Sequence, residues 1–314
     1  MQRLSRVCEH TTSPATSTSG SEASTFGRLS VQALSWKYVD GRGGLVGAPD
    51  GAIEAVLSWA AAQQITTVDV EDRLFTSTEP AYLAALRADA ARLCVGWGYL
   101  GITVDFGAKL SRASVEAEIA LGRQWIDVAA ALGVPRLRVP GNAVGGVEPA
   151  QAWALVRSKL QALVAYGRDK GVAIGLHNHA GSGDAIPATG TSLLRMMDEV
   201  PGLQLILDLG NGNFTGCPEL HTPGETAPEQ LYEHIRIAAP RATSVRAKFV
   251  HQQHMNTGRA VEGFVDYRRV ARLLRDGGFD GDVSIVRYDS VCPDLAPADA
   301  LSLAAEELRR CGVG

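Results

Sequence analysis

The chain has 314 residues, 46% of them hydrophobic, with a formal net charge of −4 and a pI near 6.0. An acidic balance argues against nucleic acid as the main partner, which favours a basic surface, and no apolar run approaches the roughly 20 residues that a membrane helix needs. Five widely spaced cysteines without a Cys-x-x-Cys point to free thiols in a reducing, cytoplasmic compartment, not to a disulfide framework or a thiolate zinc site.

The first stretch, residues 1–27, contains arginines but no apolar core, so it is not read as a secretory signal. It is rich in Ser and Thr from Thr11 to Thr25 and reads as a disordered tail ahead of a single domain over 28–314. From there one rhythm repeats: a short β-branched or apolar run, then an Ala/Leu-rich stretch with apolar residues three and four apart. The predicted strands are "VQALSW" (31–36), "TTVDVE" (66–71), "GITVDF" (101–106), "RLRVP" (136–140), "VAIGLHN" (172–178), "LQLILDLG" (203–210), "SVRAKFV" (244–250) and "DVSIVRY" (282–288). Helices are predicted near 51–63, 79–93, 114–132, 148–169, 189–199, 228–239, 264–277 and 297–311, with Gly171 as a stop for the fourth.

Strands that alternate with helices pair in parallel through right-handed crossovers. Eight such units predict a closed (β/α)8 TIM barrel, with a doubly wound sheet as the runner-up. That runner-up lacks its Gly-x-Gly-x-x-Gly fingerprint, no Walker sequence occurs, and "GNGNFTG" (210–216) reads as a tight strand-to-helix loop. In such a barrel the chemistry belongs at the C-terminal ends of the strands. The residues there are Trp36, Glu71, Asp105, Arg138, His177, His179, Asp208, Arg246, Lys248 and Arg287. Asp69 and Glu71 alternate with Val68 and Val70, which turns both carboxylates toward the barrel interior.

At these strand ends "IGLHNHAG", "LILDLGNGNF", "SVRAKFV" and "GGFDGDVSIVRYDS" resemble, in order, four segments of the xylose-isomerase-like barrels, the sugar phosphate isomerase/epimerase superfamily. The resemblance spans about residues 28–311. It implies one divalent metal held by Glu, Asp, His and Glu on strands five to eight, the glutamates doubling as acid and base. Here those four positions carry His177, Asp208, Arg246 and either Val286 or Arg287, so one ligand of the four is kept. Asn178, His179, Asn211 and Lys248 match the pattern. Arginine offers no lone pair to a metal at ordinary pH, and a divalent cation beside Arg246 is costly in a low-dielectric pocket. Arg246 therefore reads as a replacement for the metal's charge.

The leading expectation is an enzyme of the isomerase/epimerase or lyase class that uses no metal or other cofactor and moves a proton next to a carbonyl. His177 serves as acid/base because imidazole titrates near neutral pH, Asp208 orients it, and Arg246 and Lys248 stabilise an oxyanion. Trp36, Glu71, Arg138, Asn178, His179, Asn211 and Arg287 would shape the substrate site, with Glu71 the substitute base. The substrate is a small molecule, anionic or carbohydrate-like, and such barrels often pair as homodimers. Two alternatives stand beside this one. The first is a rearranged metal site at His177, His179 and Asp208, with His251 or His254 adding a ligand. The second is an inactive barrel subunit or binding protein. Structural roles are also open: core histidines, Asp208 capping the next turn, and Arg246 in a buried salt bridge with Asp208 or Glu71.

Overall fold

Side chains alternate across a strand, and in this chain the alternation separates two cores. A computed structural model describes residues 25–36, 51–102, 112–141, 148–178, 190–209, 229–249, 265–287 and 296–314. Its strands are β1 (Arg28–Gln32), β2 (Thr67–Glu71), β3 (Gly96–Gly101), β4 (Arg136–Gly141), β5 (Ala173–Asn178), β6 (Leu203–Asp208), β7 (Ala242–Phe249) and β8 (Asp282–Arg287). All pairings are parallel, in chain order, and β1 closes on β8 to complete the barrel.

Around it lie α1 (Ala52–Ala62), α2 (Pro80–Arg92), α3 (Arg112–Leu132), α4 (Pro149–Lys170), α5 (Gly190–Glu199), α6 (Glu229–Ala238), α7 (Tyr267–Asp276) and α8 (Pro297–Arg310). Proline opens α2, α4 and α8, where its missing N–H costs no helical hydrogen bond. Gly171 ends α4 at φ 73°, the left-handed conformation that glycine takes most readily, as the sequence predicts. The Asp266 side chain caps α7 by accepting from the Arg269 amide at 3.0 Å. None of the described helices is long and apolar enough to cross a membrane.

One face of each strand packs on the helices. Val68 and Val70 of β2, Leu137 and Val139 of β4, and Leu205 and Leu207 of β6 are buried in this outer core. The other face fills the barrel, and it departs from the usual filling of Val, Ile and Leu. Ser30, Gln32, Asp69, Glu71, Arg138, His177, Asp208, Ser244, Arg246, Lys248 and Ser284 are all buried polar or charged residues.

Two expected strands are displaced. The first runs Arg28–Gln32 and not 31–36, and Ala33–Trp36 form a 3-10 turn. The third is Gly96–Gly101, five residues ahead of its predicted start, and Asp105 lies outside the described residues. Glycine weakens a strand, so "GWGYLG" carries little strand signal, yet two of its glycines answer to close packing. A Cβ on Gly98 would stand 2.0 Å from Asp69 Oδ1, and one on Gly101 2.5 Å from an Arg138 guanidinium nitrogen. The expected tail lies outside the described residues up to 24; Phe26 bridges to Val313, joining the two ends of the described fold.

Candidate active site at the strand ends

Five strands carry one charged layer. Glu71 ends β2, Arg138 lies on β4, His177 on β5, Asp208 ends β6, and Arg246 and Lys248 share one face of β7. Each is at most 5% exposed. Glu71 Oε1 accepts from Gln32 Nε2 and from Arg138 Nη2, both at 2.8 Å. Arg138 Nη1 reaches His177 Nδ1 at 2.9 Å, and His177 Nε2 reaches Asp208 Oδ2 at 3.0 Å. The Asp208 backbone is fixed in turn by the Asn178 amide, which donates to the Asp208 carbonyl and accepts from its N–H, both at 2.8 Å.

These distances settle the imidazole tautomer. A guanidinium only donates, so Nδ1 accepts from Arg138. The ring proton is then on Nε2 and goes to Asp208. Arg246 Nη1 lies 3.1 Å from the same Nε2, a close approach of two donors. Burial and the positive charges of Arg138 and Arg246 hold the imidazole well below its usual range despite the Asp208 hydrogen bond. His177 is thus neutral at physiological pH with both nitrogens engaged, whereas the sequence suggests a ring that titrates near neutrality.

Asp208 faces the remaining cations at ion-pair rather than hydrogen-bond length. Arg246 Nε is 3.5 Å from Oδ2, Lys248 Nζ is 3.5 Å from Oδ1, and Arg246 Nη2 stands 3.8 Å from Glu71 Oε1. Burial pushes the Asp208 carboxyl up, but Lys248, His177 and Arg246 outweigh it and hold it far below the carboxylate range. Arg246 therefore makes both of the salt bridges the sequence allows. Arg138, Arg246 and Lys248 thus face Glu71 and Asp208 inside the barrel, and Arg73, itself exposed, stands 3.6 Å from Glu71 Oε2.

Not every expected residue joins this layer. Trp36 sits on the 3-10 turn, its ring centroid 6.3 Å from that of Trp59 in α1, packed on the outer core. His179, Asn211, His251 and His254 lie outside the described residues, as does the Arg287 side chain. Lys248 is in register with Val286. Val286 also shares the parity of Ser284, which sits beside the interior Asp69, so the last ligand position falls on an apolar side chain.

The fold's metal chemistry can be tested against these donors. A metal on Asp208 would bond at about 2.0–2.2 Å, yet Asp208 has Arg246 and Lys248 3.5 Å away, and the His177 lone pair is turned to Arg138. No group of three or more His, Cys, Asp or Glu able to hold a metal occurs among the described residues. The described donor set does not fit a divalent ion.

Two more buried interior residues belong beside the layer, and sequence reasoning passed over the first of them. Tyr99 of β3 is fully buried, with the Arg138 and Arg246 guanidinium carbons 5.8 and 6.0 Å from its ring centroid. These are outer-limit cation–π distances. Its hydroxyl has no hydrogen-bond partner among the described residues, and burial pushes its pKa above the usual phenol range. Asp69, visible in the sequence only as an interior carboxylate, accepts from the Tyr99 amide at 2.9 Å. The signal for Tyr99 was masked by the misplaced third strand. Gly101 is the other hidden member, because only a residue without a side chain lets Arg138 lie against β3. Gly101→Ala is expected to cost about 1–3 kcal/mol through overpacking, and a fall in Tm of several degrees in a thermal melt checks it.

Comparison with known proteins follows the same lines. The family described as "Xylose isomerase-like TIM barrel" matches residues 59–311. No curated protein matches the sequence. Among solved structures, D-allulose 3-epimerase from Methylomonas sp. aligns with a TM-score of 0.67 at 18% identity, over 91% of this chain and 98% of that one. L-ribulose 3-epimerase aligns with a TM-score of 0.68 at 13% identity, over 91% and 94% of the two chains. A xylose isomerase-like TIM barrel protein from Mycobacterium smegmatis, in complex with magnesium, aligns at 0.59 and 17% identity, over 92% and 98%. At such identities these likenesses are likenesses of fold.

Proposed function

The chain belongs to the xylose isomerase-like TIM barrel family, and on that premise we propose that its strand-end layer moves a proton next to a carbonyl without a metal. The observation that carries this reading is Arg246. It stands where the family pattern has a metal-binding histidine, 3.1 Å from His177 Nε2 and 3.5 Å from Asp208 Oδ2. A fixed guanidinium supplies there the positive charge that a developing enolate needs. Lys248, two residues along the same face, is the second cation.

His177 is the proton acceptor in this scheme. It is neutral, as a base must be, and Asp208 stabilises the imidazolium that forms when Nδ1 takes the substrate proton. Nδ1 is reachable only when the Arg138 N–H moves off it, and Arg138 remains anchored through Nη2 to Glu71. Return of the proton to the neighbouring carbon is isomerisation; return to the opposite face is epimerisation; loss of a β-substituent from the enolate is elimination. The 3-epimerases among the fold neighbours bear names of the same proton-transfer class, which supports the reading.

The engagement of both imidazole nitrogens favours one other reading, a barrel that binds its ligand without turnover. Proton NMR in D2O separates the two. The chelator-treated protein is incubated with D-allulose, dihydroxyacetone and pyruvate in turn. Loss of a C–H signal beside the carbonyl, undiminished by EDTA and about 10²–10³-fold slower in Arg246→Gln, is the expected result. Exchange that appears only after a divalent metal is added sinks the metal-free reaction, and binding without exchange supports the binding protein.

A further inference from the structure

We infer that the barrel interior, deeper than the strand ends, holds a binding site for ordered water lined by Tyr99, Ser244 and Ser284. The inference stands apart from any reaction at the charged layer. Its first basis is the choice of side chains. Barrels of this kind are ordinarily filled by layers of Val, Ile and Leu. Here β7, β8 and β1, neighbours in the closed sheet, turn the fully buried Ser244, Ser284 and Ser30 inward. Ser244 precedes Arg246 by two residues on the same face of β7. Ser284 is in register with Arg246 on one side and with Ser30 on the other. A serine is smaller than the branched chains it replaces, and it carries a hydroxyl that both donates and accepts.

The second basis is independent of size. The Tyr99, Ser244 and Ser284 hydroxyls are buried and meet no hydrogen-bond partner among the described residues. Ser30 is the contrast, with Asp69 Oδ2 at 2.9 Å and the Thr67 carbonyl at 3.1 Å. Tyr99 comes from β3, where its amide donates to Asp69 Oδ1 at 2.9 Å. Its ring centroid is 6.0 Å from the guanidinium carbon of Arg246, on the strand that carries Ser244. Ser284 stands beside the same Asp69. Buried hydroxyls in native proteins nearly always find a partner, because leaving one unpaired is costly. An internal water typically makes about three hydrogen bonds to such groups, and the interior offers that many hydroxyls here. An ion matches the site less well. A cation would lie near the Arg138 and Arg246 guanidinium groups, and an anion near the Asp69 carboxyl.

A crystal structure of the full chain, at a resolution that shows ordered solvent, tests this directly. At least one water is expected within about 2.5–3.0 Å of the Tyr99 hydroxyl oxygen and of one serine Oγ. Oxygen-17 relaxation dispersion tests it in solution, where water held inside a fold exchanges slowly with bulk. The count of such long-lived waters is expected to fall by at least one in Ser284→Val, whose methyl groups take the place of the water. Tyr99→Phe keeps the ring and removes only the hydroxyl, and it is expected to show the same loss should the valine variant not fold. Hydroxyls that bond to protein groups in the crystal, or that face an empty space, overturn the inference. So does a long-lived water count unchanged in the variants that fold.

Discussion

Asp208→Asn is expected to cost about 3–5 kcal/mol of folding stability, the range for breaking a buried ion pair by removing one partner. Asp208 is fully buried and lies 3.5 Å from both Lys248 Nζ and the Nε of Arg246. An amide keeps the volume but takes away the charge, and its NH2 or its oxygen must face the His177 Nε2–H and both cations. The backbone of β6 is not the weak point, because Asn178 holds both the Asp208 N–H and its carbonyl at 2.8 Å. The loss is therefore electrostatic, and it should be recovered in part by removing a cation. In urea denaturation the midpoint falls for Asp208→Asn and rises again for the double variant Asp208→Asn with Lys248→Met, while the slope stays the same. A cost below about 1 kcal/mol would mean that solvent screens these pairs.

The parts of this molecule that sequence reading reaches are those written in a regular pattern. The second strand and the fourth to eighth announce themselves as apolar runs, and Glu71, Arg138, His177, Asp208, Arg246 and Lys248 follow from the rule that strand ends meet at one mouth. What the sequence does not show is who pairs with whom. Arg138 and Arg246 look alike in a list of strand ends, but Arg138 donates to the Glu71 carboxylate at 2.8 Å whereas Arg246 Nε lies 3.5 Å from Asp208 Oδ2. The Arg138 contact depends on Gly101, whose missing side chain makes room for the guanidinium. It also decides whether His177 titrates, since the same guanidinium occupies Nδ1. The third strand was hidden for the same reason: its glycines are there for close approach to Asp69 and Arg138, and glycine otherwise reads as a break. Tyr99, carried by that strand, was hidden with it.

The second large effect concerns pH and is expected at Asp69. Burial pushes this carboxyl up to about 7 from 3.8, and the charge of Asp282 adds to the rise against Ser284, Ser30 and the Tyr99 amide. The hydrogen bonds agree with a protonated acid. Ser30 Oγ lies 2.9 Å from Asp69 Oδ2 and 3.1 Å from the Thr67 carbonyl, and one hydroxyl proton cannot serve both. A proton on Oδ2 donated to Ser30 lets Ser30 donate to Thr67, and Oδ1 accepts from Tyr99 at 2.9 Å, so each group has its partner. The folded state then binds more protons than the unfolded state between about pH 4 and pH 7. Stability due to Asp69 is complete below the unfolded value and is lost as pH rises through the folded one, by about 4 kcal/mol in all. Asparagine reproduces the neutral acid, its amide donating to Ser30 and its oxygen accepting from Tyr99. Asp69→Asn is accordingly expected to match the unmodified protein near pH 4 and to exceed it by a few kcal/mol at pH 8. Urea midpoints at both pH values measure this. Parallel pH profiles for the two proteins would mean that Asp69 is already ionised in the fold, and that the Ser30 proton goes to the carboxylate and leaves the Thr67 carbonyl to its strand partners.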